Sequence, residues 1–134
     1  MGPHIARKLV KKMVMEKVPV PESRVLMMGY TFKENCPDTR NTKVDDVIAE
    51  LWDYGVSVDI YDPWVEAGEK AALSKHLTFV DAPEQGHYDA VVVAVAHDVF
   101  REMGPEGMRA LGKSRSLLFD VKYLFPSDQT DLRL

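Results

Sequence analysis

The sequence lacks several features that mark other classes of protein. Its one cysteine, Cys36, can form no internal disulfide, so we expect a reducing compartment, the cytoplasm. The chain has no apolar run of about 18 residues and no apolar segment behind its basic start, so we expect neither a membrane-spanning helix nor a secretory signal. Positive charge is not in excess, because 17 Lys and Arg against 21 Asp and Glu give a formal net charge of −4. General nucleic-acid binding, which requires a basic surface, is therefore not expected.

Two common ligand motifs are also absent from the sequence. Gly29 is followed by Tyr30, so the Gly-x-Gly-x-x-Gly fingerprint of dinucleotide binding is missing after the first predicted strand. Asp62 ends another predicted strand, where an acid would meet a ribose, but without the glycines a turn role is favoured for it. The histidines show no metal-ligand spacing, and we predict no metal site. They are His4, His76, His87 and His97.

The chain does have the composition of one globular domain, with 46% hydrophobic and 28% charged residues in a length of 134. The segment from Met1 to about Lys17 places its apolar residues at helical spacing and predicts a helix that ends before Pro19. These apolar residues are Ile5, Leu9, Val10, Met13 and Val14. We expect this helix either to fold back on the rest of the domain or to pair with a second copy.

Strands and helices alternate after this first helix. Short apolar runs predict five strands, over 24–29, 56–61, 77–80, 90–95 and 116–121. Helical spacing predicts helices over 44–51, 64–73 and 105–111. Thr42 with Asp45 resembles a capping box, and the polar tail after Phe125 is expected to be loose. The alternation predicts an α/β fold: a three-layer sandwich with a mainly parallel, five-stranded, Rossmann-like sheet, preceded by one N-terminal helix.

The loop after the first predicted strand is the best candidate for a ligand site. Ligands of open α/β sheets bind beyond the carboxyl ends of the strands, and this loop, residues 30–41, is longer than usual for such folds. Lys33 and Arg40 lie on it just before a helix N-terminus, an arrangement that suits a phosphate or diphosphate. The alternative is that the two cations only balance nearby acids. These acids are Glu34, Asp38, Asp45 and Asp46.

The same loop carries a family resemblance. Its motif Gly-Tyr-Thr-Phe-Lys-Glu-Asn-Cys-Pro-Asp-Thr-Arg-Asn-Thr, at 29–42, resembles the C-terminal domain of the UDP-glucose/GDP-mannose dehydrogenase family. Four later motifs share the likeness: Tyr-Gly-Val at 54–56, Tyr-Asp-Pro at 61–63, Ala-Val-Ala-His-Asp-Val-Phe at 94–100 and Phe-Asp-Val-Lys at 119–122. The resemblance extends from about Gly2 to Phe125. The loop motif is most similar to the UDP-N-acetylhexosamine 6-dehydrogenase branch, which makes aminouronic acids for capsule and O-antigen polysaccharides.

The resemblance implies a role for the domain as a whole. Residues 1–20 would be the tail of a central dimerisation helix region, and residues 21–134 the UDP-sugar-binding C-terminal domain. The full enzyme would oxidise a UDP-N-acetylhexosamine with NAD, as a homodimer or a larger assembly. Its N-terminal and central domains would hold most of the NAD and the nucleophilic cysteine. Their motifs do not occur in this sequence, so this chain alone is expected to be inactive.

The resemblance also implies roles for individual residues. Phe32 and Lys33 would contact the UDP-sugar. Arg40 would contact the substrate diphosphate or the NAD cofactor. Cys36 occupies a variable loop position rather than that of the nucleophile, so we expect no catalytic residue in the chain.

Residues after the later strands are further candidates. His97 is expected to face the cleft, where a helix-start or interdomain contact is favoured over acid–base catalysis. Asp120 and Lys122 are expected to form an ion pair or a turn rather than to bind a ligand. A second class of function is a stand-alone flavodoxin-like regulatory or signalling domain without enzyme activity. Lys122 fits that class, but Gly29 and Tyr30 replace the acids it needs after the first strand.

Overall fold

The computed structural model describes residues 2–40 and 42–134; Met1, where the first helix was predicted to start, and the motif residue Asn41 lie outside the described residues. The described ranges contain four helices and six strands. The helices are α1 (Gly2–Met15), α2 (Val44–Asp53), α3 (Ala67–Leu73) and α4 (Asp98–Arg109). The strands are β1 (Arg24–Met28), β2 (Ser57–Tyr61), β3 (Thr78–Phe79), β4 (Tyr88–Val93), β5 (Gly112–Asp120) and β6 (Leu132–Arg133). None of these helices is long and apolar enough to cross a bilayer.

The strands of the described chain form one sheet in the order β3-β2-β1-β4-β5-β6, and every neighbouring pair is parallel. β1 lies between β2 and β4, with Val25 opposite Val58 on one side and Ala90 on the other. The direction in which strands are added therefore reverses beside β1. In parallel sheets the loops diverge at such a point and leave a crevice for a ligand. The predicted parallel, Rossmann-like sheet is confirmed.

Helices cover both faces of the sheet and make the predicted three layers. α1 and α2 pack on one face, where Ile48 and Leu51 share a core cluster with the strand residue Met27. α4 covers the other face, where Phe100 and Met108 lie in a second cluster. Since both faces are covered, β4 is buried at every position, which is the physical reason for the apolar run that begins at Ala90.

The first helix folds back on the domain. Leu9 and Met13 are fully buried in the same cluster as Val47 of α2. The last turn of α1 leaves Val14 and Met15 exposed, because the helix ends there and the chain turns toward β1. Of the two outcomes expected for this helix, folding back is therefore the one that the structure shows.

The tail after Phe125 is ordered, and the prediction of a loose tail was wrong. Ser127–Gln129 form a short 3-10 helix, and β6 adds a sixth strand, where five were predicted, parallel to β5. The cause is Asp131, whose carboxylate accepts hydrogen bonds from the backbone N–H of Leu118 at 2.8 Å and from Arg109 Nη1 at 2.9 Å. A polar residue thus attaches the tail to the sheet through partners that are distant in sequence.

Two helix boundaries also differ from the predicted ones. α4 begins at Asp98 and is kinked at Gly104, whose φ of 72° breaks the helical backbone, so the sequence pattern predicted only the part after Pro105. α3 begins at Ala67 rather than Trp64, because the preceding residues form a turn on Asp62. Both errors arise where a turn adjoins a helix and no apolar periodicity marks the boundary.

Candidate functional site

The site lies at the carboxyl edge of the sheet and starts from Gly29, which follows β1. Gly29 has a φ of +103°, a conformation that side-chain-bearing residues rarely adopt. A Cβ at this position would lie 2.6 Å from Val95 Cβ, in the loop after β4. The Gly29 N–H donates to the carbonyl of Tyr61 at the end of β2. The segments after β1, β2 and β4 therefore converge at Gly29, and the β1–α2 loop (residues 29–43) starts from a fixed point.

A buried carboxylate organises the first residues of this loop. Oδ2 of Asp62, which is 0% exposed, accepts hydrogen bonds from the N–H groups of Tyr30 at 2.7 Å and Thr31 at 3.0 Å. Its Oδ1 accepts from the N–H of Trp64 at 2.8 Å, which is the predicted turn role. Burial by itself raises the pKa of Asp62, but hydrogen bonds from His97, Tyr30 and Thr31 outweigh it and hold the pKa below its ordinary value. Asp62 is therefore an ionised acceptor inside the protein, closed to a ribose.

His97 lies beside Asp62 and is also 0% exposed, so the expectation that it faces the cleft was wrong. It occupies the residue position before α4, which is the predicted helix start. Its Nδ1 accepts a hydrogen bond from the N–H of Asn35 at 2.9 Å, so the ring proton is on Nε2, which donates to Asp62 Oδ2 at 3.0 Å. The ring is buried because the β1–α2 loop closes over it, which the spacing of residues along the sequence does not reveal.

Asn35 ties the far end of the same loop segment to α4. Its side-chain Oδ1 accepts a hydrogen bond from the N–H of Asp98 at 3.0 Å, in the first turn of that helix. Its backbone is in the left-handed region, with a φ of 54°, which asparagine tolerates better than most residues. We did not identify Asn35 from the sequence; an asparagine in a long loop before Cys-Pro is a weak signal for such a turn.

The predicted substrate-binding residues Phe32 and Lys33 lie between these two anchors. Both are exposed, and the Phe32 side chain is 54% exposed. The Phe32 N–H donates to the carbonyl of Asp38 at 2.7 Å, and the Thr31 hydroxyl donates to the carbonyl of Lys33 at 3.0 Å. Within residues 2–40 and 42–134, Lys33 forms no salt bridge. Its ammonium is therefore free to meet an anion.

Arg40, the third predicted residue, is paired with Asp38. Arg40 Nε lies 3.0 Å from Asp38 Oδ1 and Nη2 lies 3.2 Å from Oδ2, while the Arg40 side chain remains 86% exposed. The hydrogen bonds from Arg40 hold the pKa of the Asp38 carboxyl below its ordinary value. Arg40 therefore fits the alternative interpretation, in which a cation on this loop only balances a nearby acid. Lys33 forms no salt bridge among the described residues, although its charge also contributes to the lowered pKa of Asp38.

An open cleft of about 510 Å³ lies between this loop and α3. Its walls include the half-buried thiol residue Cys36, the Arg40 guanidinium and two acids of the α3 region, Glu66 and Glu69. The Thr39 hydroxyl donates to Glu69 at 3.0 Å and attaches the loop to α3. Arg40 therefore borders a space large enough for part of a nucleotide ligand.

The NAD cofactor that the resemblance implies does not fit the turn after β1. In dinucleotide-binding folds the backbone N–H groups of this turn meet the pyrophosphate, and a second glycine leaves room for it. Here the N–H groups of Tyr30 and Thr31 donate to Asp62, and Val95 fills the space beside Gly29. The N–H groups of Tyr30 and Thr31 are therefore not available to a pyrophosphate at this turn.

The last strand ends in a turn on a second buried carboxylate. Asp120, 0% exposed, accepts hydrogen bonds from the N–H groups of Leu124 at 3.0 Å and Phe125 at 2.8 Å. This confirms the favoured turn role of Asp120, and Lys122 extends from the turn as an exposed side chain. Asp120 and Asp62 thus have similar roles, since each accepts backbone N–H groups of the turn that follows its strand, β5 and β2 respectively.

Comparison with known proteins identifies relatives over the whole chain. A family model described as the UDP-glucose/GDP-mannose dehydrogenase family, UDP binding domain, matches residues 26–127. The chain is 49% identical over 134 residues to the UDP-N-acetyl-D-glucosamine 6-dehydrogenase of Pseudomonas aeruginosa, a match that takes in 100% of this chain and 32% of that protein. Identity to the enzyme of the same name from Salmonella typhi is 45%, over 100% of this chain and 31% of that protein. The chain thus spans about a third of the length of these relatives.

Solved structures show the same fold. The NDP-N-acetyl-D-galactosaminuronic acid dehydrogenase from Methanosarcina mazei Go1 superposes with a TM-score of 0.78 and 20% sequence identity. The match covers 95% of this chain and 26% of that one. At this identity the likeness concerns the path of the backbone, and it places a sheet like this one inside a much longer dehydrogenase chain.

Proposed function

This chain belongs to the UDP-glucose/GDP-mannose dehydrogenase family, and from that premise we propose that it is the UDP-binding part of a UDP-N-acetylhexosamine 6-dehydrogenase. The observation that carries the proposal is the exposed Lys33, which forms no salt bridge with the described residues, on a loop segment held at both ends, at the edge of the sheet where α/β folds bind ligands. The whole enzyme would oxidise the C6 hydroxymethyl group of the sugar to a carboxylate and serve capsule or O-antigen synthesis in the cytoplasm. It would act as a homodimer or a larger assembly.

Lys33 and Phe32 form the substrate-binding surface in this proposal. The Lys33 ammonium is a compact positive charge that can turn toward either phosphate of a UDP-sugar. The Phe32 ring, 54% exposed beside it, offers an apolar face for the uracil or the sugar. Among the described residues neither side chain has a hydrogen-bond partner to leave first, which favours binding without rearrangement.

Arg40 serves the diphosphate or the cofactor in a different way. Asp38 occupies the Nε and one side of Nη2, so the guanidinium is held in one orientation with its other N–H groups directed outward. A guanidinium held in this way can bind an anion through its remaining N–H groups while it stays paired with the Asp38 carboxylate. We therefore propose Arg40 as an edge contact next to the cleft that it lines with Cys36 and Glu69.

NAD binding is placed outside this chain in the proposal. The turn after β1 has its N–H groups committed to Asp62, so the residues present hold and orient the UDP-sugar and move no hydride. The chain alone is thus expected to bind UDP weakly and to oxidise nothing. The alternative of a regulatory receiver domain would need acids after β1, and Gly29 and Tyr30 stand there instead.

The test is a UDP titration of the 134-residue chain, monitored by NMR and by calorimetry. We expect shift changes across residues 32–40, and a loss of affinity of about tenfold or more in Lys33→Ala, because a charge-assisted hydrogen bond is worth roughly 1.5–3 kcal/mol. Lys75→Ala, which removes an equally exposed lysine after α3, is the matched control and should bind as the parent does. Equal affinities for the two variants would contradict the proposal. So would NADH formation from a UDP-sugar and NAD by this chain.

A further inference from the structure

His97 is a buried histidine that the proposed function does not use. It touches no solvent, yet it contacts two segments that are distant in sequence: the β1–α2 loop and the residues after β2. We infer that His97 is a positioning residue that sets the place of Lys33 by holding the loop segment 31–35 at its far end. The inference rests on the proposed function, because it supplies the reason why the position of Lys33 matters.

The segment is fastened at two points. At its start, Asp62 Oδ2 accepts the N–H of Thr31 at 3.0 Å. At its end, His97 Nδ1 accepts the N–H of Asn35 at 2.9 Å, and the Asn35 side chain accepts the N–H of Asp98 at 3.0 Å. The two side chains that hold the segment are also bonded to each other, since His97 Nε2 donates to Asp62 Oδ2 at 3.0 Å. Thr31 and Asn35 are therefore fixed to a single buried pair.

The residues between the fasteners depend on the backbone for their position. Phe32, Lys33 and Glu34 are exposed and, among the described residues, their side chains make no hydrogen bond that would hold them. The backbone of the segment is held at Thr31 and Asn35, by the bond from the Phe32 N–H to Asp38, and by the Thr31 hydroxyl, which donates to the Lys33 carbonyl at 3.0 Å. Loss of the contact at Asn35 would thus leave Lys33 anchored, among the described residues, only from the Thr31 side.

The imidazole is itself held so that Nδ1 faces the loop. The ring of Phe100 lies 5.2 Å away edge-on and that of Trp64 lies 6.1 Å away, centroid to centroid. The Thr31 hydroxyl approaches Nε2 at 3.3 Å from the loop, and Asp62 from the end of β2 is the ionised group in contact with the ring among the described residues. Asp62 accepts only, so the proton resides on Nε2 and Nδ1 keeps its lone pair for Asn35.

Two variants separate the two functions of the ring. His97→Asn places an oxygen near the position of Nδ1 and keeps an acceptor for Asn35, but it loses the donor to Asp62. His97→Gln places an amide near Nε2 and keeps the donor, but it has no acceptor at the Nδ1 position. We expect UDP affinity to stay within about twofold in the asparagine variant and to fall about tenfold in the glutamine variant. His76→Gln, at an exposed position after α3, is the control.

If His97 had only a structural role, a different result would be expected. Both variants would then lose affinity in proportion to their loss of thermal stability, and that outcome would overturn the inference. The melting temperature of each variant is measured alongside its affinity, so that the two effects are separated. The inference predicts similar melting temperatures for the two variants with unequal affinities.

Two further readouts keep the inference separate from the proposed function. Hydrogen exchange of the Asn35 amide should be slow in the parent and in His97→Asn, and fast in His97→Gln, whether or not UDP binds. If the parent fails to bind UDP, the proposed function fails, and the shift of the Lys33 amide in the two variants still decides the positioning role. If His97→Gln does not fold, the imidazole ¹⁵N spectrum of the parent decides, since a proton on Nδ1 would overturn the inference.

Discussion

The phenol of Tyr30 donates a hydrogen bond of 2.6 Å to Asp45 Oδ1 and so joins the start of the β1–α2 loop to the first turn of the helix that follows it. Thr42 and Asp45 resembled a capping box, but α2 has no side-chain capping bond from the residue that precedes it. Thr42 instead accepts the N–H of Val44 at 3.2 Å, and the carboxylate of Asp45 is used by a residue 15 positions earlier. The loop is therefore closed by a tertiary contact rather than by a local one.

Removing this contact should weaken the domain measurably. Burial raises the pKa of the Tyr30 phenol above its ordinary value, and the hydrogen bond to Asp45 adds to the shift, so the protonated phenol is the form the fold requires. We expect Tyr30→Phe to lower the free energy of unfolding by about 1–2 kcal/mol at neutral pH, since the substitution removes a hydrogen bond to a carboxylate. Urea denaturation measures this. Tyr54→Phe, at a partly exposed position after α2, should cost almost nothing, and an equal loss there would contradict the assignment.

The same pKa shift predicts how stability changes at alkaline pH. An unfolded tyrosine releases its proton near pH 10, whereas Tyr30 holds it to higher pH in the folded protein. The stabilisation is thus complete below about pH 10 and declines as the pH rises through and beyond that value. The difference in unfolding free energy between the parent and Tyr30→Phe should therefore shrink from pH 9 to pH 11. Above pH 10 it should fall by about 1.4 kcal/mol for each pH unit. A difference that stays constant would contradict this reading.

Gly29→Ala should destabilise the protein strongly. The substituted residue would need a φ of +103° and its Cβ would lie 2.6 Å from Val95 Cβ, so backbone strain and overpacking add. We expect a loss of about 3 kcal/mol or more in urea denaturation. Gly86→Ala is the control, because Gly86 also has a positive φ, +65°, but has open space around it. It carries the strain alone and should lose about 1 kcal/mol; similar losses for both variants would show that packing against Val95 is unimportant.

Asp62→Asn should separate the charge of the carboxylate from its shape. An amide has one accepting oxygen where the carboxylate has two. At least one buried donor would therefore lose its acceptor, at a cost of about 3 kcal/mol. The donors are those of Tyr30, Thr31, Trp64 and His97. The folded pKa of Asp62 is lowered, so its stabilising effect is present above the unfolded value near 4 and is lost as pH falls below it. Unfolding measured from pH 7 to pH 3 should show a weaker pH dependence in the variant. Asp53→Asn, at an exposed position, should leave the profile unchanged.

Asp131→Ala should release the C-terminal segment while the rest of the sheet stays folded. The substitution removes the acceptor for Leu118 and Arg109, two of the contacts that attach the tail in addition to its backbone pairing with β5. We expect faster hydrogen exchange and earlier proteolysis within residues 126–134, and a loss of about 1–2 kcal/mol of global stability at most. Asp128→Ala, in the neighbouring 3-10 helix, is the control. Unchanged exchange in the tail would show that other contacts hold β6 in place.

These contacts explain which parts of the fold were accessible from the sequence. β4 was predictable because every one of its positions is buried, and α2 because its buried residues recur at helical spacing. β6 was not predictable, since two residues have no periodicity and the contacts that place them beside β5, including those of Asp131, are tertiary ones. A strand of that length is defined by its partner alone.

The candidate site divides in the same way. The loop, Lys33 and Arg40 were found because charge, loop length and the preceding strand are all properties of the sequence. The burial of His97 and its bond to Asn35 were not, because they depend on how closely two loops approach in space. Asp62 was expected to form a turn, and it does so through Trp64, but its acceptance of the loop N–H groups is a property of the assembled edge.

The fastening of the loop also determines when it can form during folding. Its bonds join Tyr30 to Asp62, 32 residues apart, and Asn35 to His97, 62 residues apart. Contacts of such separation cost much chain entropy to close, and β1 pairs with β2 and β4 over similar separations, so the loop bonds form together with that pairing and after the local helices. On a ribosome, the loop that carries the proposed binding residues would therefore stay mobile until β4 and the start of α4 had emerged. It would reach its native conformation only after most of the sheet had been synthesised.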